Sequence, residues 1–140
     1  MSEKKFLVSG LVGGIISFFA GWLIYGVLLM KIMGSTPRAV TNVMRGPNDM
    51  IFWAIFLGSL FMAFTLSYIF NKWANINTLL GGAITGAVVG FMITASFDFT
   101  NYGTTNLLSL SGLCIDLVAG TVLQAITGAT VGWMNSKVKS

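Results

Sequence analysis

The run FLVSGLVGGIISFFAGWLIYGVLLM, residues 6–30, contains 25 consecutive residues without a charged side chain. About 20 helical residues cross a hydrocarbon core of about 30 Å, so this run is long enough to span a membrane. Lys4 and Lys5 precede it as in a signal peptide, but the apolar stretch is too long for one. The segment Phe18-Phe19-Ala20 is also a poor cleavage site. We therefore interpret the run as a first membrane span.

Three further runs of this kind follow and predict an all-α fold. Residues 50–71 and 73–97 carry no charge, and a fourth run reaches Lys137 with Asp116 as its only interruption. The ten-residue alternation of barrel strands is absent, and a backbone in lipid satisfies its own hydrogen bonds in helices. The sequence predicts a polytopic membrane protein, a four-transmembrane-helix bundle. Its single domain covers residues 1–140, with spans expected at about 7–30, 50–70, 78–97 and 110–134.

The composition excludes several classes of function. Only 9% of the 140 residues are charged, whereas soluble domains average about 25%. This excludes a cytosolic globular enzyme, a disordered tail and a nucleic-acid binder, despite the net charge of +4. The chain has no histidine and a single cysteine, Cys114, which leaves few metal ligands or catalytic groups. We expect no catalytic residue, no metal site, no cofactor and no enzymatic activity.

Basic and aromatic residues predict the orientation. With four spans, both termini and the second loop share one side of the membrane and carry five basic residues, against three on the other side. The positive-inside rule then predicts a multi-pass protein of the inner (cytoplasmic) membrane with both termini in the cytoplasm. Trp73 and Trp133 fit one interfacial aromatic belt, and Trp53, Trp22 and Tyr25 fit the other.

The loop between the first two spans predicts a short interfacial helix. The segment Ser35-Thr36-Pro37 offers a cap followed by proline at a first helical position. Beyond it, polar and basic residues share one helical face, which suits the headgroup region of a bilayer. These residues are Arg38, Thr41, Asn42 and Arg45.

Small residues recur every fourth position in the third and fourth spans. Such rows form inclined ridges that let membrane helices approach closely. We expect them to pack helices within the bundle or between copies of the chain, and the alternative is a pore lining. The second span is rich in large aromatic residues, so we expect it to face lipid more than the others. The glycines expected in helix packing are Gly82, Gly86, Gly90, Gly112, Gly120, Gly128 and Gly132.

An internal repeat links the same two spans. Residues 83–92 and 125–134 are identical at eight of ten positions. Consecutive spans run antiparallel, so the two copies would point in opposite directions, as in the inverted repeats of many transporters. Shared packing requirements also explain the repeat, and this is the explanation that we favour.

A group of polar residues at the end of the third span is the strongest chemical signal. If the third and fourth spans form a hairpin centred near residue 107, Asp98 lies level with Asp116. A carboxyl group inside a span is costly and indicates a functional site, and two close carboxyl groups would share a proton. The structural interpretation, which we favour from the sequence, has Asp98 capping loop amides and Asp116 paired with Arg45 or Lys31. The candidate binding residues are Asp98, Thr100, Asn101, Tyr102, Asp116, Gln124, Lys31 and Arg45.

These motifs resemble a family of small uncharacterised bacterial four-span membrane proteins. That family has an Asp-Leu-Thr-Asn signature after its third span and a later Asp-x-x-Trp-Gly. Here Phe99 replaces the leucine and Ala119 replaces the tryptophan, while the other signature positions match. An acidic residue expected three positions before Trp22 is Phe19. The resemblance implies a membrane location and a four-span fold, and it implies no particular activity.

Two functional hypotheses follow. The first is a non-enzymatic protein embedded in the lipid bilayer that forms a homo-oligomer or serves as an accessory subunit of a larger membrane complex through its glycine-rich helices. The alternative is a small ion- or proton-coupled transporter or channel that uses Asp98 and Asp116. Binding of nucleic acid is not expected from either.

Overall fold

The computed structural model describes residues 3–28, 51–105 and 109–138, and this part of the chain forms four long helices. Each is long and apolar enough to cross a membrane, which confirms the predicted all-α four-span fold. The expected interfacial helix around Arg38 lies outside the described residues. The helices are α1 (Glu3–Gly21, continued as a π-helix over Trp22–Leu28), α2 (Phe52–Ile69, continued as a π-helix over Phe70–Ala74), α3 (Leu79–Thr104) and α4 (Leu110–Lys137).

Side-chain caps define where α3 and α4 begin. The hydroxyl of Thr78 accepts a hydrogen bond from the backbone N–H of Gly81 at 3.0 Å. The hydroxyl of Ser109 accepts one from the N–H of Gly112 at 3.1 Å. These are N-cap contacts, which satisfy amide groups that have no partner within the helix. The predicted starts of both spans agree with these caps to within one residue.

The end of α3 differs from the prediction. The helix continues to Thr104, seven residues beyond the expected end of the span at Phe97. The hydroxyls of Thr104 and Thr105 donate to backbone carbonyls four residues earlier, at 2.7 and 2.6 Å. Asp98 therefore lies within a continuous helix, so the expectation that it caps loop amides is wrong.

Helices α1 and α4 are the two inner helices of the bundle. Helix α4 packs against α3 on one side and α1 on the other, while α2 packs mainly against α1. In the most apolar part of each span, 17% of the residues are buried in α2 and in α3, against 28% in α1 and in α4. The second span is therefore more exposed than the first and fourth, but not more than the third, because α3 has one main neighbour.

Glycines bring the backbones of α3 and α4 together. A Cβ atom added at Gly86 would lie 2.9 Å from the Cα of Gly128, and one added at Gly128 would lie 2.8 Å from the Cα of Gly86. Added Cβ atoms at Gly82 and Gly132 would likewise overlap the backbone of the opposite helix. We call this contact the α3–α4 seam; its described residues are Gly82, Gly86, Gly90, Thr94 and Asp98 of α3 and Asp116, Gly120, Gln124, Gly128 and Gly132 of α4.

The internal repeat lies across this seam. Gly86 and Gly128 occupy the same position in the two copies, and they contact each other. The contacts beside them are equivalent too, since an added Cβ at Gly128 would meet the carbonyl oxygen of Gly82, and one at Gly86 would meet that of Gln124. The two copies therefore make equivalent contacts on either side of the Gly86–Gly128 contact, as the packing explanation of the repeat predicts.

A buried polar network joins three helices at the end of the bundle where α1 begins and α4 ends. The Ser9 hydroxyl donates to Asn135 Oδ1 at 2.6 Å, and Asn71 Nδ2 donates to the same oxygen at 3.2 Å. Asn135 Nδ2 donates to the carbonyl of Ile76 at 3.0 Å, and the Ser67 hydroxyl donates to that of Phe6 at 2.9 Å. Because its polar groups are paired, this network orients α1, α2 and α4 against one another.

The seam predicts a position-specific cost of adding one methyl group. We expect Gly128→Ala to lower the free energy of unfolding by about 1–3 kcal/mol, because the added Cβ forces the two backbones apart. The matched variant Gly58→Ala should stabilise by about 0.5–1 kcal/mol, since an added Cβ there has no neighbour within 4 Å. Reversible unfolding in detergent micelles measures both, and equal effects at the two glycines would contradict the seam.

The polar network predicts a second stability difference. Asn135→Ala leaves the groups on Ser9, Asn71 and Ile76 without their partner, so we expect a loss of about 1–3 kcal/mol. The control is Asn77→Ala, because the exposed Asn77 amide donates only to the nearby carbonyl of Asn75. The same unfolding assay should show almost no change for the control, and a comparable loss in both variants would count against the network.

Candidate functional site

The α3–α4 seam ends in a pair of carboxyl groups. Asp98 lies four residues after Thr94 in α3, and it faces Asp116 of α4. The two side chains lie within hydrogen-bonding reach of each other. Asp98 is buried, with 6% of its surface exposed, and Asp116 is half-buried. A hydrogen bond between two carboxyl groups requires a proton on one of them, so this pair is suited to holding a shared proton.

Tyr25 completes the site from α1. Its hydroxyl lies close enough to the Asp116 carboxyl for the two side chains to interact, and the ring is half-buried. Tyr25 belongs to the π-helical segment Trp22–Leu28, where the wider turn changes the face on which each residue lies. The sequence predicts an aromatic-belt position for Tyr25 and gives no sign of this contact, because α-helical periodicity does not extend through a π-helix.

Two buried oxygen atoms of the seam have no hydrogen-bond partner among the described residues: Asp98 Oδ2 and Gln124 Oε1. Gln124 is 7% exposed, and its side chain packs where Gly90 leaves space. Buried polar atoms are nearly always paired, and an unpaired one costs about 1–3 kcal/mol. A carboxylate oxygen and an amide oxygen both accept hydrogen bonds, so a hydrogen-bond donor or a cation would satisfy them.

Several predicted site residues do not join this group. Thr100 lies about 200° around the helix from Asp98 and is exposed. Tyr102 is also exposed, with 45% of its surface accessible, and Asn101 is half-buried with its carbonyl accepting from Thr105. The other two predicted residues, Lys31 and Arg45, lie outside the described residues.

The described basic residues are far from the carboxyl pair. Lys4 and Lys5 begin α1, whereas Tyr25 lies near its other end, and Lys137 ends α4, whereas Asp116 lies near its start. Lys72 follows α2 at the end of the assembly that contains the Asn71–Asn135 hydrogen bond. Within the described ranges, the carboxyl pair therefore has no nearby basic side chain. The alternative pairing of Asp116 with Lys31 or Arg45 stays a prediction.

No known protein family, curated protein or solved structure matches this chain. The resemblance to small four-span proteins with an Asp-Leu-Thr-Asn signature therefore stays a prediction. What is established at this point is an all-α protein with four helices able to cross a membrane. A pair of facing carboxyl groups lies within two of those helices.

The contact between Tyr25 and Asp116 predicts an energetic coupling. Tyr25→Phe should cost about 1 kcal/mol of stability in the wild-type background and almost nothing when combined with Asp116→Ala, because the hydroxyl then has no acceptor to lose. Tyr68→Phe, on α2, provides the control and should be additive with Asp116→Ala. A double-mutant cycle of unfolding free energies measures the coupling, and additivity of Tyr25→Phe with Asp116→Ala would show that the contact is absent.

Proposed function

We propose that this protein is a small ion- or proton-coupled membrane transporter or channel in which Asp98 and Asp116 bind the transported proton or cation. One observation carries the proposal: Asp98 is buried within a span, faces a second carboxyl group and has an oxygen atom without a partner. Ionisable residues inside a span are rare and mark ion pathways and proton relays.

The cost of burying charge supports this proposal. A carboxylate at the centre of a membrane helix costs about 2.5–3.5 kcal/mol on insertion scales, and two facing carboxylates also repel each other. The described residues provide no basic partner at this end of the helices. A proton or a small cation between the two carboxyl groups would reduce both costs.

The homo-oligomer or accessory-subunit hypothesis stays a prediction, as does the absence of enzymatic activity. The glycine rows of the spans and the lack of catalytic residues in the sequence motivate it. In the structure the glycine rows of α3 and α4 contact each other within one chain, so each row is covered by the opposite helix. The carboxyl pair is not explained by assembly alone, so we place ion or proton coupling first.

The proposal includes a topology. We place the protein in the inner membrane with both termini in the cytoplasm, so that the carboxyl pair lies toward the opposite side. The excess of basic residues at the termini and the second loop supports this orientation.

Cysteine labelling tests the topology. In a Cys114→Ala background, Thr104→Cys should react with an impermeant maleimide in spheroplasts, because Thr104 is exposed in the last turn of α3. Asn77→Cys is exposed at the other end and should react only after lysis. The reverse labelling pattern would contradict the orientation.

Flux measurements test the function. Purified protein in liposomes should take up protons, followed with an entrapped pH-sensitive dye, or radioactive sodium, at rates above those of empty liposomes. We expect Asp116→Asn and Asp98→Asn to reduce the rate by about tenfold or more, because each removes a carboxyl group of the pair.

Glu3→Gln is the matched control for these variants. It also removes a carboxyl group, but from an exposed position at the opposite end of α1, so its flux should equal that of the wild type. An absence of flux in the wild type, or equal flux in all four proteins, would refute the proposed function.

A further inference from the structure

We infer that the ligand of the carboxyl pair is a proton, which Asp98 carries as a neutral acid while Asp116 stays an ionised acceptor. This inference rests on the proposed function and names the species that its site binds. It depends on the contacts along the α3–α4 seam, on the burial of Asp98 and on the unpaired oxygen Oδ2 of that residue.

The seam contacts place the two carboxyl groups opposite each other. Each successive contact lies four residues further along α3 and four residues back along α4. The contacts run from Gly86 on Gly128, through Gly90 on Gln124, to Thr94 on Gly120. The next step of the same register brings Asp98 to Asp116, and these two side chains lie within hydrogen-bonding reach of each other.

A proton fits the packing at this point of the seam. The side chain of Thr94 fills the neighbouring layer, because its Oγ1 lies 2.7 Å and its Cγ2 3.0 Å from the position of a Cβ atom added at Gly120. A hydrogen bond between a carboxyl group and a carboxylate brings their oxygens to about 2.5–2.7 Å, and its proton needs no further space. A calcium ion instead takes about six to eight oxygen ligands.

Burial decides which of the two carboxyl groups is neutral. Asp98 is 6% exposed, whereas Asp116 is half-buried. Removal from water disfavours the charged form of a carboxyl group, so the more buried one holds the proton. As a neutral acid, Asp98 donates a hydrogen bond to Asp116. Protonation also removes the charge from its unpaired buried oxygens, and an unpaired polar group costs more when it is charged.

Tyr25 supports the ionised state of Asp116. Its hydroxyl approaches the Asp116 carboxyl from the π-helical end of α1, and a phenol is a hydrogen-bond donor to a carboxylate. Among the described residues, the titratable groups that interact with Asp116 are Asp98 and Tyr25. The site then carries one negative charge in place of two, which removes the repulsion between facing carboxylates and lowers the cost of burial.

Infrared spectroscopy of the purified protein, in a detergent without ester groups, tests for this proton. The C=O stretching band of a protonated carboxyl group lies at higher frequency than the amide and carboxylate bands. The chain has only four acidic side chains, so such a band comes from few candidates. We expect the wild type to show it at neutral pH, with a shift on exchange into deuterated water.

Three variants locate the proton. Asp98→Asn should lose the band, because the half-buried Asp116 is then ionised without its partner. Asp116→Asn should keep it, because Asp98 stays buried and neutral. Glu3→Gln is the matched control, since it removes an exposed carboxyl group at the start of α1, and its band should equal that of the wild type.

Salts added to the wild type at constant pH test a proton against a cation. A cation bound between two carboxylates displaces the proton, so we expect the band to keep its intensity in sodium, potassium and calcium chloride. This measurement needs no variant, and it therefore decides between the two ligands even if Asp98→Asn does not fold.

Four results would overturn the inference: no band in the wild type, a band that the salts abolish, a band that Asp98→Asn keeps, or a band that Asp116→Asn loses. The proposed function is tested separately by flux. A band abolished by sodium, together with sodium flux that requires Asp116, overturns the inference and leaves the function standing. A band that follows Asp98, with no flux above that of empty liposomes, supports the inference, and only the proposed function fails.

Discussion

The close approach of two backbones at Gly86 and Gly128 is the contact on which the rest of the structure depends. Because neither residue has a side chain, α3 and α4 meet along a row of small residues, and the antiparallel register is fixed at that point. Residues equidistant from position 107 then face each other along the seam. This register places Asp98 opposite Asp116 and leaves α4 as the helix against which α1 also packs.

The two ends of the assembly use polar groups differently. At the end where α1 begins and α4 ends, Ser9 and Asn71 both donate hydrogen bonds to Asn135, so the polar groups of this network are paired with one another. Toward the other end, Asp98 keeps an unpaired oxygen in a buried position, and Gln124, at the middle of α4, keeps another. A network whose polar groups are all paired holds helices together. Buried acceptor oxygens without partners instead require a hydrogen-bond donor or a cation. This contrast is the physical reason for placing the functional site at the end of the seam that contains Asp98 and Asp116.

Much of the fold follows from the sequence because lipid imposes a simple rule on charge. The four uncharged runs predict four spans, and counting from the centre of the hairpin predicts that Asp98 and Asp116 are level. The end of α3 was missed, because the threonine hydroxyls at 104 and 105 bond to backbone carbonyls and the helix continues through polar residues.

Other parts of the site depend on contacts that local patterns do not encode. Tyr25 reaches Asp116 from a π-helical segment, whose register differs from that of an α-helix. Ser9 and Asn135 are 126 positions apart and look like ordinary small polar residues in their spans. The chemistry of Thr100 and Tyr102 predicts that they belong to the site, but both side chains are exposed in the helix. Residue types in the sequence indicate where the site is. Which residues belong to it depends on how α1, α3 and α4 pack together.

Disulfide cross-linking across the seam tests the central claim most directly. In a Cys114→Ala background, the pair Asp98→Cys and Asp116→Cys should form an intramolecular disulfide in membranes under mild oxidation, because the two side chains face each other. The pair Thr100→Cys and Asp116→Cys should not, since residue 100 points to the opposite face of α3. Rapid cross-linking of the first pair alone is the predicted result. Equal cross-linking of both pairs, or none of the first, would contradict the register on which the account rests.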